Sequence, residues 1–132
     1  HAPIMTVKDV QKVRREHTDV RVIIHPEADP ETVKASDAFG STAQMIDYVK
    51  AQPLGTKVAI GTEINMVRRL SESYHAIVKV VPLVESACAD MAKITPEKLA
   101  RCLMELTDDY RVRVPEAVIA DARRALDRML KV

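Results

Sequence analysis

Tryptophan is absent and aromatic residues of every kind make up only 3% of the chain, so few side chains could stack on nucleic-acid bases or sugar rings. An excess of one charge is missing too. Twenty Lys and Arg stand against 19 Asp and Glu, a net charge of +1 at pH 7, which gives no field for holding nucleic acid or an anionic membrane. The pairs Arg14-Arg15, Arg68-Arg69 and Arg123-Arg124 fall in helical stretches beside acidic residues, as solvated faces do. No apolar run approaches the roughly 20 residues of a membrane span, and no segment reads as a signal peptide. Two cysteines, Cys88 and Cys102, do not make a disulfide framework and suit a reducing cytoplasm. Also absent are a zinc-type ligand pair, a Walker loop, GxGxxG, GxSxG and HExxH. The 132 residues begin at His1 rather than Met, as expected of a processed chain or a piece of a longer one.

What is present is an alternation of helical and β-rich stretches, with 47% hydrophobic residues, ample for a core. Val7, Val10 and Val13 have helical spacing and lead into the strand VRVIIH at 20–25. Asp29-Pro30-Glu31 combines a cap, a first-turn proline and an acid, and starts a short helix ending near Asp37. An extended step at Ala38-Phe39 precedes Gly40-Ser41-Thr42 and the helix AQMIDYVKAQ, which Pro53, Leu54 and Gly55 break. Strand KVAIG (57–61), helix INMVRRLSES and strand AIVKVVPL (76–83) follow. After a non-periodic stretch, Thr95-Pro96-Glu97 and Pro115-Glu116 open two further helices. Their apolar stripes are Leu99, Cys102, Leu103 and Leu106 in the first, and Val118, Ala122, Ala125, Leu126 and Met129 in the second. The expected fold is an α/β three-layer sandwich with a short parallel sheet over residues 1–88, and a helical tail over 89–132 that packs on this or another part. Exposed apolar residues on the last helix would favour self-association.

Four stretches carry chemistry. His25-Pro26-Glu27 ends a β-branched run where open parallel sheets place their ligand crevices; the imidazole could bind a carboxylate, and Glu27 could exchange protons if desolvated. A solvated turn is the plain alternative. Gly40-Ser41-Thr42 and Gly61-Thr62 each join an apolar step to an amphipathic helix, so each start could hold a carboxylate or phosphate, or be capped by its own hydroxyl. Cys88, in ACADM, reads as a small buried hydrophobe or as a thiolate ligand, and Cys102 as packing. A parallel sheet would bring His25, Ser41 and Thr62 to one edge.

The order V-R-V-I-I-H-P-E, D-A-F-G-S-T, A-I-G-T-E, C-A-D-M, I-T-P-E-K-L and A-R-R-A-L-D-R-M-L resembles quinolinate synthase over essentially the whole chain. That resemblance implies three similar α/β domains about a pseudo-threefold axis, of which this chain would be the third, plus the C-terminal helices. It implies a [4Fe-4S] cluster held by one cysteine from each third, with one iron left open as a Lewis acid. The implied reaction condenses iminoaspartate with dihydroxyacetone phosphate to quinolinate for NAD synthesis, with L-aspartate oxidase as supplier of iminoaspartate. On this chain, Cys88 would be the third ligand, His25, Ser41 and Thr42 would bind carboxylates, and Glu27 would be the acid/base. His1, Thr62, Glu63 and Met91 match family positions of less defined role. Ala28 stands where many relatives have a dispensable cysteine. With one implied ligand of three, the piece alone would be inactive. The rival expectation is a stand-alone α/β module that binds a small anion at its two Gly-hydroxyl helix starts. A cluster-free metal site made by His25, Glu27 and Cys88 is a third.

Overall fold

A computed structural model describes residues 5–131, which divide into two compact units, the first reaching Lys93 and the second running from Ile94. In the first unit four helices alternate with four strands: α1 (Val7–Glu16), β1 (Arg21–Ile24), α2 (Pro30–Ala35), β2 (Ala38–Phe39), α3 (Thr42–Lys50), β3 (Lys57–Gly61), α4 (Ile64–Tyr74) and β4 (Lys79–Pro82). All strand pairs are parallel and the sheet order is β2-β1-β3-β4. Chain order therefore reverses between β1 and β3, which is where open α/β sheets leave a crevice at their carboxyl ends.

The sheet is covered on both faces. Ile23, Val58, Ile60 and Val80 pack with Met45 and Val49 of α3 and Val67 and Leu70 of α4. Val22, Ile24 and Ala59 pack with Val10 and Val13 of α1 and with Met5, while Val33 and Ala35 of α2 lie against the same cluster. Burial on both faces explains why β1 and β3 read as continuous apolar runs rather than alternating ones. Together these layers make the expected α-β-α sandwich.

Caps set the helix starts. Asp29 Oδ2 accepts from the Glu31 amide at 3.2 Å, with Pro30 at the first helical position. Helix α2 stops at Ala35, before the expected Asp37, because Asp37 is already bonded to β1. Its amide donates to the Val22 carbonyl at 2.9 Å, and its carboxylate accepts from the Val22 amide at 2.7 Å and from Arg14 at 3.0 Å. Strand β4 is shorter than the apolar run that announces it. The Ile77 and Val78 amides both donate to the Tyr74 carbonyl, so the first part of the run closes α4 instead of pairing.

The second unit holds α5 (Pro96–Glu105) and α6 (Glu116–Met129). Thr95 Oγ1 accepts from the Lys98 amide at 3.3 Å, and α5 ends on Leu106 in the left-handed region (φ 44°), whose amide donates to Cys102. Leu99, Leu103, Val118, Leu126 and Met129 of the two stripes are exposed, and Cys102, expected in packing, is half-buried. No helix among the described residues is long and apolar enough to cross a membrane.

Candidate functional site

Because the strands are parallel, the residues that follow them share one edge of the first unit. His25 follows β1, Gly40 and Ser41 follow β2, Thr62 and Glu63 follow β3, and the segment to Cys88 follows β4. Backbone bonds carry the sheet up to that edge: Gly40 N–H donates to Ile24 O at 3.1 Å, His25 N–H to Gly61 O at 3.0 Å, and Leu83 N–H to Ile60 O at 3.0 Å. His25 and Thr62 thus flank the β1/β3 reversal.

His25 sits in a tight turn in which the Ala28 amide donates to its carbonyl at 3.0 Å. The Glu27 amide donates to His25 Nδ1 at 3.4 Å. A nitrogen that accepts carries no hydrogen, so the neutral ring keeps its proton on Nε2 and offers it as a donor. The His25 side chain is 30% exposed, whereas Glu27 is 90% exposed, with Oε2 3.7 Å from Nδ1. Among the described residues none covers the Glu27 carboxylate.

The two glycine-hydroxyl starts, alike in sequence, are built differently. At α3, Ser41 Oγ accepts from the Gln44 amide at 3.4 Å and Gln44 Oε1 accepts from the Ser41 amide at 2.8 Å, a reciprocal capping box. The amides of Thr42 and Ala43, at the first two helical positions, have no acceptor within the helix, and the Ser41 hydroxyl hydrogen is free to donate. At α4 the cap is Glu63, not Thr62. Glu63 Oε2 accepts from the Asn65 and Met66 amides at 2.9 and 3.3 Å. A carboxylate of the chain itself already fills the place where an external anion would bind. Of the two glycine-hydroxyl starts, α3 is capped by a neutral hydroxyl and α4 by the chain's own Glu63 carboxylate.

Past β4, the Ser86 carbonyl accepts from the Ile64 amide at 2.7 Å, and the Cys88 carbonyl accepts from the Ala92 amide at 2.9 Å. Cys88 is half-buried and Met91 is 59% exposed. The Ser86 hydroxyl is buried and has no hydrogen-bond partner. His1 lies outside the described residues. Of the participants not read from the sequence, Gln44 was signalled by its three-residue spacing from Ser41, whereas Ser86 carries no local signal.

Among the described residues no three His, Cys, Asp or Glu stand together as a metal-holding group. The first unit supplies a single thiol, Cys88, where three are implied. By themselves these residues do not fit a four-iron cluster, and they do not form the cluster-free His25–Glu27–Cys88 site either.

Residues 1–131 match the family described as NadA, Quinolinate synthetase A protein. The chain is 42% identical over 132 residues to a protein named quinolinate synthase from Corynebacterium glutamicum, covering 96% of this chain and 33% of that one. It is 37% identical over 131 residues to the quinolinate synthase of Bacillus mycoides, covering 96% of this chain and 35% of the relative. With the quinolinate synthase of Halobacterium salinarum it shares 40% over 133 residues, covering 96% and 35%. The chain spans about a third of the length of these relatives. With the family matched from end to end of that third, the chain belongs to the quinolinate synthase family.

Proposed function

We propose that this chain forms the third α/β domain and helical tail of a quinolinate synthase, which joins iminoaspartate and dihydroxyacetone phosphate with loss of phosphate and water. The observation that carries the reading is the single carboxyl edge on which His25, Ser41 and Thr42 stand beside the β1/β3 reversal. His25 Nε2–H donates to one substrate carboxylate. The Ser41 hydroxyl and the Thr42 and Ala43 amides receive a second at the start of α3, where the helix end favours negative charge. Glu27, on the same turn as His25, moves protons on the bound intermediate once a neighbouring domain covers it. Cys88 would contribute one thiolate to a cluster whose other two cysteine ligands lie outside this chain, and the chain alone is inactive. L-Aspartate oxidase delivers the iminoaspartate.

The test is quinolinate formation by the full-length protein after anaerobic reconstitution, beside Cys88→Ser and the isolated chain. Expected are turnover and cluster absorbance in the full-length protein, loss of both in Cys88→Ser, and neither in the isolated chain. A reconstituted full-length protein that makes no quinolinate refutes the function, and an unchanged spectrum in Cys88→Ser removes that thiol as a ligand.

A further inference from the structure

All four amides that open α4 are satisfied, and one of them is held from outside the helix. Glu63 Oε2 takes the Asn65 and Met66 amides, Oε1 takes the Asn65 side-chain amide at 2.8 Å, and the Glu63 carbonyl takes Val67 N–H at 3.4 Å. The remaining donor, Ile64 N–H, reaches the Ser86 carbonyl at 2.7 Å. Helix starts ordinarily leave such donors to water or to a side-chain cap. Here the first is a tether for the segment after β4, two residues before Cys88. Among the described residues, the backbone between Pro82 and Met91 is tied to the rest of the unit at two points, Leu83 N–H to Ile60 O and Ser86 O to Ile64 N–H. Glu63 is 9% exposed and Ser86 fully buried, so water competes poorly for either end of this arrangement.

We infer that Glu63 is a positioning residue for the Cys88 segment: by capping α4 through Oε2, with Oε1 held by the Asn65 side chain, it presents the Ile64 amide to Ser86 and sets where the thiol stands on the carboxyl edge. Removing the carboxylate leaves two part-buried amides without their acceptor, and the first turn of α4 loosens with the Ile64 tether in it. The functional weight of this placement rests on the reading of Cys88 as a working thiol; the placement itself does not.

The experiment measures amide exchange at Ile64 and over 84–88, and iodoacetamide alkylation of Cys88 with Cys102 as internal reference, in the chain and in Glu63→Ala, Glu63→Asp, Glu63→Met and Ser86→Ala. Loss of the cap is expected to speed exchange and Cys88 alkylation roughly five- to thirty-fold in Glu63→Ala, with Cys102 unchanged. Glu63→Asp, a short carboxylate of the kind that caps α2 at Asp29, restores the wild-type rates. Ser86→Ala leaves them as they are, since it keeps the carbonyl and removes only an unpartnered hydroxyl. Wild-type rates in folded Glu63→Ala overturn the inference. Should that variant unfold, Glu63→Met, which keeps the side-chain length and offers no oxygen, decides, and unchanged Cys88 rates in it overturn the inference equally. Absence of quinolinate synthesis by the full-length wild type would instead refute the function and leave these rates to judge Glu63.

Discussion

The His25 amide donates to the Gly61 carbonyl at 3.0 Å, so β1 and β3 stay joined up to the residues at which both leave the sheet. The same glycine faces the α1 layer with no room to spare. A Cβ there would stand 2.6 Å from Ile24 Cγ1, 3.0 Å from Met5 Sδ and 3.1 Å from Leu83 Cδ2. Because Ile24 is a fully buried, β-branched side chain in mid-sheet, relief requires the strands to part rather than a side chain to swing. Gly61→Ala is expected to lower stability by about 1–3 kcal/mol, the usual cost of overpacking. Urea unfolding checks this; a wild-type midpoint at unchanged slope refutes it.

Asp37 ties two elements with one carboxylate, accepting from the Val22 amide of β1 and from Arg14 of α1. The two bonds are unequal. Arg14 and Asp37 are each about two-fifths exposed, and an exposed pair of that kind contributes little. The Val22 amide is partly buried and has no other acceptor for that bond, so Asp37→Ala should cost about 1–3 kcal/mol, whereas Asp37→Asn, which keeps one carbonyl oxygen, should recover most of it. Equal thermal midpoints for the two variants would show that the ion pair, not the amide bond, matters.

The sequence was most legible where burial was complete. β1 and β3 are covered on both faces, so their apolar runs could be nothing else, and KVAIG coincides with β3. The cap-proline-acid signals placed the starts of α2 and α5 because they act within four residues. Legibility failed where a distant partner decides the outcome. The run at 76–83 has strand composition throughout, yet Tyr74 captures its first half. Thr62 has the better N-cap chemistry by composition, yet Glu63 is the residue that stands at the cap once Ser86 has taken the Ile64 amide. At the candidate site the edge was foreseeable from strand order, while the difference between a hydroxyl-capped α3 and a carboxylate-capped α4 required the side-chain contacts.

Glu27 presents its carboxylate to solvent while its amide holds His25 Nδ1. Glu27→Gln removes the carboxylate proposed to carry protons but keeps the backbone bond, so the His25 tautomer is preserved. In the full-length enzyme it should lower turnover by roughly 10²-fold or more, leave the cluster spectrum unchanged and change KM little. Glu27→Pro, in contrast, deletes the amide and should raise KM through a misoriented imidazole. Near wild-type turnover in Glu27→Gln rules the carboxylate out of proton transfer.

The α5 start supplies a pH dependence with a definite sign. Glu97 is fully exposed, yet a hydrogen bond to its own backbone amide, aided by the Thr95 hydroxyl, holds its carboxyl below the ordinary value of 4.5. A carboxyl that ionises more readily in the folded chain stabilises it above its unfolded pKa, and that contribution is lost as pH falls through the folded value. Its location at the second position of α5 adds to the preference, because a negative charge there meets the positive end of the helix. Helicity of the second unit should therefore fall on acidification from neutral pH to below the carboxylate range. Glu97→Gln should begin with less helix and lose less over the same span, since its side chain does not titrate. Far-UV circular dichroism of both proteins across that range checks the difference, and parallel curves would show that other carboxylates govern the acid response.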